Sequence, residues 1–163
     1  MKRSLCLIIL AILTSTGFLY GQTFDWNIRG GLNLMNGQPS DKKVFPGYHA
    51  GVQAGVRVSY YGFYGEAVYS VHQNQDGGDP IAYFMPGIDI KRYLKQFLFV
   101  DVGGAFLIMT GEPSIADPTL NPENMPVFMA GLGAKISMVE LSMRAISGSS
   151  GYVVVQVTAA VKF

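Results

Sequence analysis

From Thr23 onward, apolar residues recur at every second position, the period of a strand with two unlike faces. The clearest stretch sets Val153, Val155, Val157, Ala159, Val161 and Phe163 against Tyr152, Val154, Gln156, Thr158, Ala160 and Lys162. An earlier one sets Phe24, Trp26, Ile28, Leu32 and Leu34 against Asp25, Asn27, Arg29 and Asn33. The pattern predicts eight strands, over about 23–35, 47–59, 61–73, 81–93, 96–110, 126–137, 138–147 and 151–163. Short turns are expected near Tyr60–Tyr61, Leu94–Lys95 and Ser137. Longer loops are expected at 36–46, 74–80 and 111–125, and a short one at 147–151. Tight turns at one end and longer loops at the other describe an all-β, antiparallel, up-and-down transmembrane β-barrel. Pro86, which lacks a ladder donor, predicts a local bulge in the fourth strand.

Composition decides which face meets which solvent. Charged residues make up only 14 % of the chain and apolar ones 49 %, against about a quarter charged in soluble domains. The same alternation turned inside out would make a soluble, lipocalin-like barrel. Low charge argues against it, as do Gly31, Gly51, Gly55, Gly103, Gly131 and Gly133 on the more polar face, where they suit a crowded lumen.

Lys2 and Arg3, an apolar run from Leu5 to Leu13 and a small, partly polar stretch to Gly21 read as a signal peptide over 1–21, with the barrel domain over 22–163. The run is too short for a membrane helix, which needs about 20 residues. Cys6 is the only cysteine, so the mature chain has no thiol for a disulfide, nucleophile or metal site. Without Lys2 and Arg3 the net charge falls from +1 to −1, and no basic strip points to nucleic acid.

Aromatic residues cluster at both strand ends, as expected for headgroup belts. Phe24, Trp26, Tyr60, Tyr61, Phe63, Tyr93, Phe97, Phe99 and Phe163 fall near the short-turn end. Phe45, Tyr48, Tyr69, Tyr83, Phe84, Phe106, Phe128 and Tyr152 fall near the loop end.

With the apolar faces on lipid, the charges turn inward. Arg29, Arg57, Glu66, Asp89, Lys91, Asp101, Lys135, Glu140 and Arg144 are expected to form a lumen ion-pair network, with Asp25 and Lys162 inward or near the lower rim. Buried charges must be paired, and an eight-stranded lumen is just wide enough for side chains to fill. The loop half of the lumen carries Asn33, His49, Gly51, Gln53, Ser70, His72, Gly103, Ala105 and Gly131. These small or neutral residues predict a shallow, water-filled vestibule.

Glu66, Ser70 and His72 share one face of the third strand, the residue types of a hydrolase triad. Two residues along a strand are roughly 6.5–7 Å apart, too far for a direct hydrogen bond. His49 can approach His72, but two histidines without a third ligand make a weak metal site. Asp76 and Asp79 read as an Asp/Gly turn more readily than as a calcium site. No catalytic, cofactor or metal residues are therefore assigned.

Phe163 after VVVQVTAAVK resembles the C-terminal signature of bacterial outer-membrane barrels. That likeness implies recognition by the barrel-assembly machinery. GGLNL in the first strand, AYFMPGIDIKRYL in the fourth and FVDVGGAFLIMTGE in the fifth resemble the outer-membrane β-barrel family that includes PorT-like proteins, with Tyr83, Pro86 and Lys91 at the core of the likeness. The resemblance implies a small bacterial outer-membrane barrel, and in one branch a part in protein secretion and gliding. The expectation is a non-enzymatic outer-membrane protein with a structural or interaction role. Its partners would be membrane lipids and a protein docked at the extracellular loops. The alternative is a narrow channel or small-ligand transporter, with a lipid-modifying enzyme a distant third.

Overall fold

A computed structural model describes residues 22–36, 44–72, 80–95, 97–110, 124–148 and 153–163. The strands are β1 (Gln22–Asn36), β2 (Val44–Val58), β3 (Tyr61–His72), β4 (Ile81–Tyr93), β5 (Leu98–Met109), β6 (Met125–Ile136), β7 (Val139–Gly148) and β8 (Val153–Lys162). Each pairs antiparallel with its sequence neighbours, and β8 returns to β1, so the sheet closes with no free edge. The expected 36–46 loop is shorter than the sequence pattern implied. The β1–β2 ladder runs on to Asn36↔Val44, because alternation fades there before the pairing does.

Closure carries a stagger. Following register partners from Trp26 through Ala54, Gly65, Ile88, Gly104, Phe128, Ser147 and Val153 returns to β1 at Asn36, ten positions further along. With strands ~4.8 Å apart and a rise of ~3.3 Å per residue, that shear tilts the strands by roughly 40°.

Two of the tight turns are two residues long, Ser59–Tyr60 and Ser137–Met138. Ser59 and Ser137 have φ of 55° and 58°, the positive sign that two-residue hairpins demand at their first position.

The bulge expected at Pro86 does not form. Register on the β5 side is the same before and after it, from Phe84↔Ile108 to Gly87↔Ala105, and the ladder merely lapses between. On the β3 side Pro86 pairs in step with Ala67. One missing donor costs a local gap, and no inserted residue is needed to absorb it.

Alternation is kept almost throughout. β3 alternates without a break between outward and buried positions, from Tyr61 to His72. Outward positions are apolar and open, with Ile88 69 % and Phe128 75 % exposed. Inward positions hold the polar residues, with Lys91 and Asp89 each 1 % exposed. Val52, Val102, Leu141, Val153 and Val157 are exposed on the outer face, while Glu66, Asp101, Glu140 and Arg144 are buried inside.

Three aromatics expected in the belts belong to the interior instead. Tyr93 and Phe99 share parity with Asp89, Lys91 and Asp101, and Tyr83 with Met85, so all three rings are buried. Phe24, Trp26, Tyr60, Tyr61, Phe63, Phe97 and Phe163 remain exposed at the tight-turn end, as do Tyr48, Tyr69, Phe84, Phe106 and Phe128 toward the loops. The signal peptide expected over 1–21, Tyr152 and the loop acids Asp76 and Asp79 lie outside the described residues, and the side chain of Phe45 is not described.

Candidate functional site: the barrel lumen

Arg144 organises the middle of the lumen. It stands on β7 opposite Gly131 of β6, which in turn stands opposite Asp101 of β5. A Cβ at position 131 would lie 2.5 Å from Asp101 Oδ1 and 2.6 Å from Arg144 Cγ. Glycine therefore lets the guanidinium cross over its strand, and Nε donates to Asp101 Oδ2 at 2.8 Å. The other arms reach further. Nη1 donates to Glu66 Oε2 at 2.9 Å and Nη2 to Asp89 Oδ2 at 2.5 Å. One fork thus meets carboxylates from β3, β4 and β5, a task for which a planar guanidinium is suited and an ammonium is not.

Arg29 of β1, two strands round from β3, approaches the same Glu66, Nη1 to Oε2 at 2.5 Å. Gln53 links the two arginine systems. Its amide nitrogen donates to Glu66 Oε2 at 3.1 Å and to Asp89 Oδ2 at 2.9 Å. Its carbonyl accepts from Arg29 at 3.1 Å and from Asn27 at 3.0 Å.

Below lies a second cluster. Lys91 Nζ pairs with Glu140 Oε2 at 2.6 Å, and Lys162 Nζ with Asp25 Oδ2 at 2.6 Å and Glu140 Oε1 at 3.6 Å. Aromatic rings pad these ammonium groups. Lys91 Nζ sits 5.0 Å from the Tyr64 ring centroid and 4.8 Å from that of Phe99, within cation–π range. The Tyr64 hydroxyl donates to Asp25 at 3.3 Å and lies 3.1 Å from that of Tyr93.

Two residues expected in the network stand apart from it. Arg57 turns to the rim, where Nε donates to the Ser59 carbonyl at 3.2 Å and the guanidinium covers the Tyr93 ring at 4.1 Å. Lys135 is half-buried at the same end, within electrostatic reach of Asp25 and Glu140 but in no ion pair. Both lie at strand ends, where a long cation reaches water and has less need of a carboxylate. Asp25 and Lys162 take their place. The paired set then holds four cations (Arg29, Lys91, Arg144, Lys162) and five carboxylates (Asp25, Glu66, Asp89, Asp101, Glu140).

Above the ion pairs runs a belt of neutral polar groups. Asn33 Nδ2 lies 3.4 Å from the Tyr48 carbonyl, which can only accept, and donates to Ser70 Oγ at 3.2 Å. Asn33 Oδ1 therefore faces His49 Nδ1 at 2.7 Å, so that nitrogen carries the proton. His49 Nε2 then accepts from the Thr158 hydroxyl at 3.0 Å.

The expected vestibule is absent from the described residues. Val68, Tyr83, Met85, Leu107, Met125, Val127, Met129, Ile146 and Val154 pack into an apolar cluster on the lumen side. The glycines that suggested open space make room for neighbours instead. A Cβ on Gly103 would stand 3.1 Å from Met129 Cε. What remains near Ser70, His72, Tyr83 and Gln156 is a cavity of about 10 Å³, no larger than one water. The sequence did carry a signal. Val153–Val155 and Phe106–Met109 are apolar at consecutive positions, so both faces are apolar there.

Glu66, Ser70 and His72 do not assemble. Glu66 is held by two arginines, Ser70 accepts from Asn33, and His72 stacks edge-on to Tyr83 with Nδ1 unpartnered. Among the described residues no group of three or more His, Cys, Asp or Glu is placed to hold a metal ion.

No protein-family model matches the chain, and no curated protein matches it. Solved structures do. A de novo designed transmembrane β-barrel superposes with a TM-score of 0.55 at 16 % identity, covering 88 % of this chain and 97 % of that one. The crystal structure of Neisserial surface protein A (NspA) superposes with a TM-score of 0.53 at 12 % identity, covering 87 % and 97 %. The chain has the fold of an eight-stranded transmembrane β-barrel of the outer-membrane type.

Proposed function

We propose that this protein is a closed, non-enzymatic barrel of the bacterial outer membrane, working as a scaffold that presents its rims and loops to a partner. The observation that carries this reading is the filled lumen. Among the described residues, ion pairs occupy its lower half and an apolar cluster the part above, with a cavity of about 10 Å³ beside Ser70 and His72. A barrel plugged in this way has its outer surface and rims for contact. The segments 74–80 and 111–125 contain Asp76, Asp79, Glu112, Asp117 and Glu123 with no Lys or Arg. A basic or cation-bridged partner fits that charge, and salt would weaken its docking. The PorT-like resemblance of strands 1, 4 and 5 supports a role beside a secretion or envelope-assembly system. Phe163 supports delivery by the barrel-assembly machinery.

Planar-bilayer recording tests the reading. The purified protein is expected to give no steady conductance. Stable openings that need a continuous water column would overturn it in favour of the channel.

A further inference from the structure

The outward face of the barrel is mostly apolar and carries almost no charge. Among the described strands, Arg92 is the sole charged residue at an outward-facing position. It sits near the tight-turn end of β4, 5.9 Å from the Tyr61 ring, with Lys95 exposed in the turn that follows. No described carboxylate pairs with either.

Next to them begins an open groove of about 560 Å³ on the outer wall. Its floor follows one register row, Leu98↔Ala134↔Leu141↔Ala159↔Gly30, from β5 round to β1. The row is low at Ala134, Ala159 and Gly30, with Leu98 and Leu141 standing between them, and beside it Leu132, Met143, Val157 and Leu32 form a wall. The row starts where Leu94 N–H bonds the Leu98 carbonyl at 2.9 Å, two residues past Arg92. Because of the barrel's stagger it climbs away from the tight-turn rim as it goes round. Four strand spacings of ~4.8 Å make it about 19 Å long, the length of a membrane fatty-acyl chain.

Two cations without a described carboxylate, at the foot of an apolar channel of that length, match an amphiphile with an anionic head. We propose that this face binds one anionic glycerophospholipid, its phosphodiester held by Arg92 and Lys95 and one acyl chain laid along the Leu98–Gly30 row. A second copy of the chain fits less well, since it would bury an unpaired Arg92. The proposal rests on the membrane location argued above, and not on whether the lumen conducts.

The test is native mass spectrometry of the detergent-extracted protein, offered palmitoyl-oleoyl phosphatidylglycerol or the matching diacylglycerol, which lacks the phosphate. Wild type is expected to retain one phosphatidylglycerol in preference to diacylglycerol. The double variant R92Q/K95Q should lose that preference by roughly fivefold or more, and R92K should keep most of it. A134L/A159L should lower retention of both lipids; Ala159→Val serves if that variant does not fold. Equal retention by wild type and R92Q/K95Q, or dimers in place of lipid adducts, would overturn the proposal. Liposome flotation of the same samples separates this outcome from failure of the membrane assignment, which would leave the protein unbound to any vesicle.

Discussion

Phe163 stacks on Trp26 across the β1–β8 seam, ring centroids 4.5 Å apart and planes 21° from parallel. Backbone bonds lock the same pair, since Phe163 N–H donates to the Trp26 carbonyl at 2.9 Å. The residue singled out by sequence as an assembly signal is thus also a structural clasp of the closed ring. Phe163→Ala should lower stability by about 1–2 kcal/mol, from the lost stacking and burial. Urea unfolding followed by fluorescence of Trp26, the only tryptophan, measures it. An unchanged midpoint would remove the clasp from the account.

Arg144 should be the most sensitive lumen position. Arg144→Met leaves Glu66, Asp89 and Asp101 short of their shared partner, at a cost of about 3–5 kcal/mol. Arg144→Lys should recover little, because one ammonium cannot fork to three acids. Lys91→Met should cost less than Arg144→Met, since Glu140 still has Lys162 nearby. Chemical unfolding of the three variants ranks them.

Val102 projects outward near the middle of β5. Val102→Arg should cost about 2–4 kcal/mol in a bilayer, while Val102→Leu should be nearly neutral. Refolding yields into liposomes would show the difference, and equal yields would mean that this face does not meet hydrocarbon.

Ser59 and Ser137 hold positive φ without being glycine. Ser59→Gly and Ser137→Gly should each stabilise the hairpin by up to about 1 kcal/mol, the relieved strain outweighing the extra freedom of the unfolded chain. A lower unfolding midpoint in either variant would show that the hydroxyl contributes more than the strain costs.

The strands and their faces were legible because period two survives in any register. The pairing of charges was not. Arg144 and Glu66 are far apart in sequence and meet only through the stagger of the closed ring, which no local pattern encodes. Arg57 was misplaced for a related reason: parity says which side it faces, but not that a strand end lets it turn to Ser59 and Tyr93. The apolar cluster was missed because Val68, Met85, Leu107, Ile146 and Val154 lie on the polar face, where glycines drew attention to space instead of to the side chains that fill it.

The three carboxylates of the Arg144 fork lie on β3, β4 and β5, and all precede their partner in the chain. A flat sheet of the early strands would carry those acids across hydrocarbon without the guanidinium that joins them, and Lys91 without its Glu140, and unpaired charge there is expensive. Piecemeal entry, hairpin by hairpin, is therefore disfavoured. The late strands bring the missing partners, Arg144 for the three acids and Glu140 for Lys91 on β7, and Lys162 for Asp25 on β8. Crossing the membrane and curling shut become a single event, timed by the last two strands to arrive.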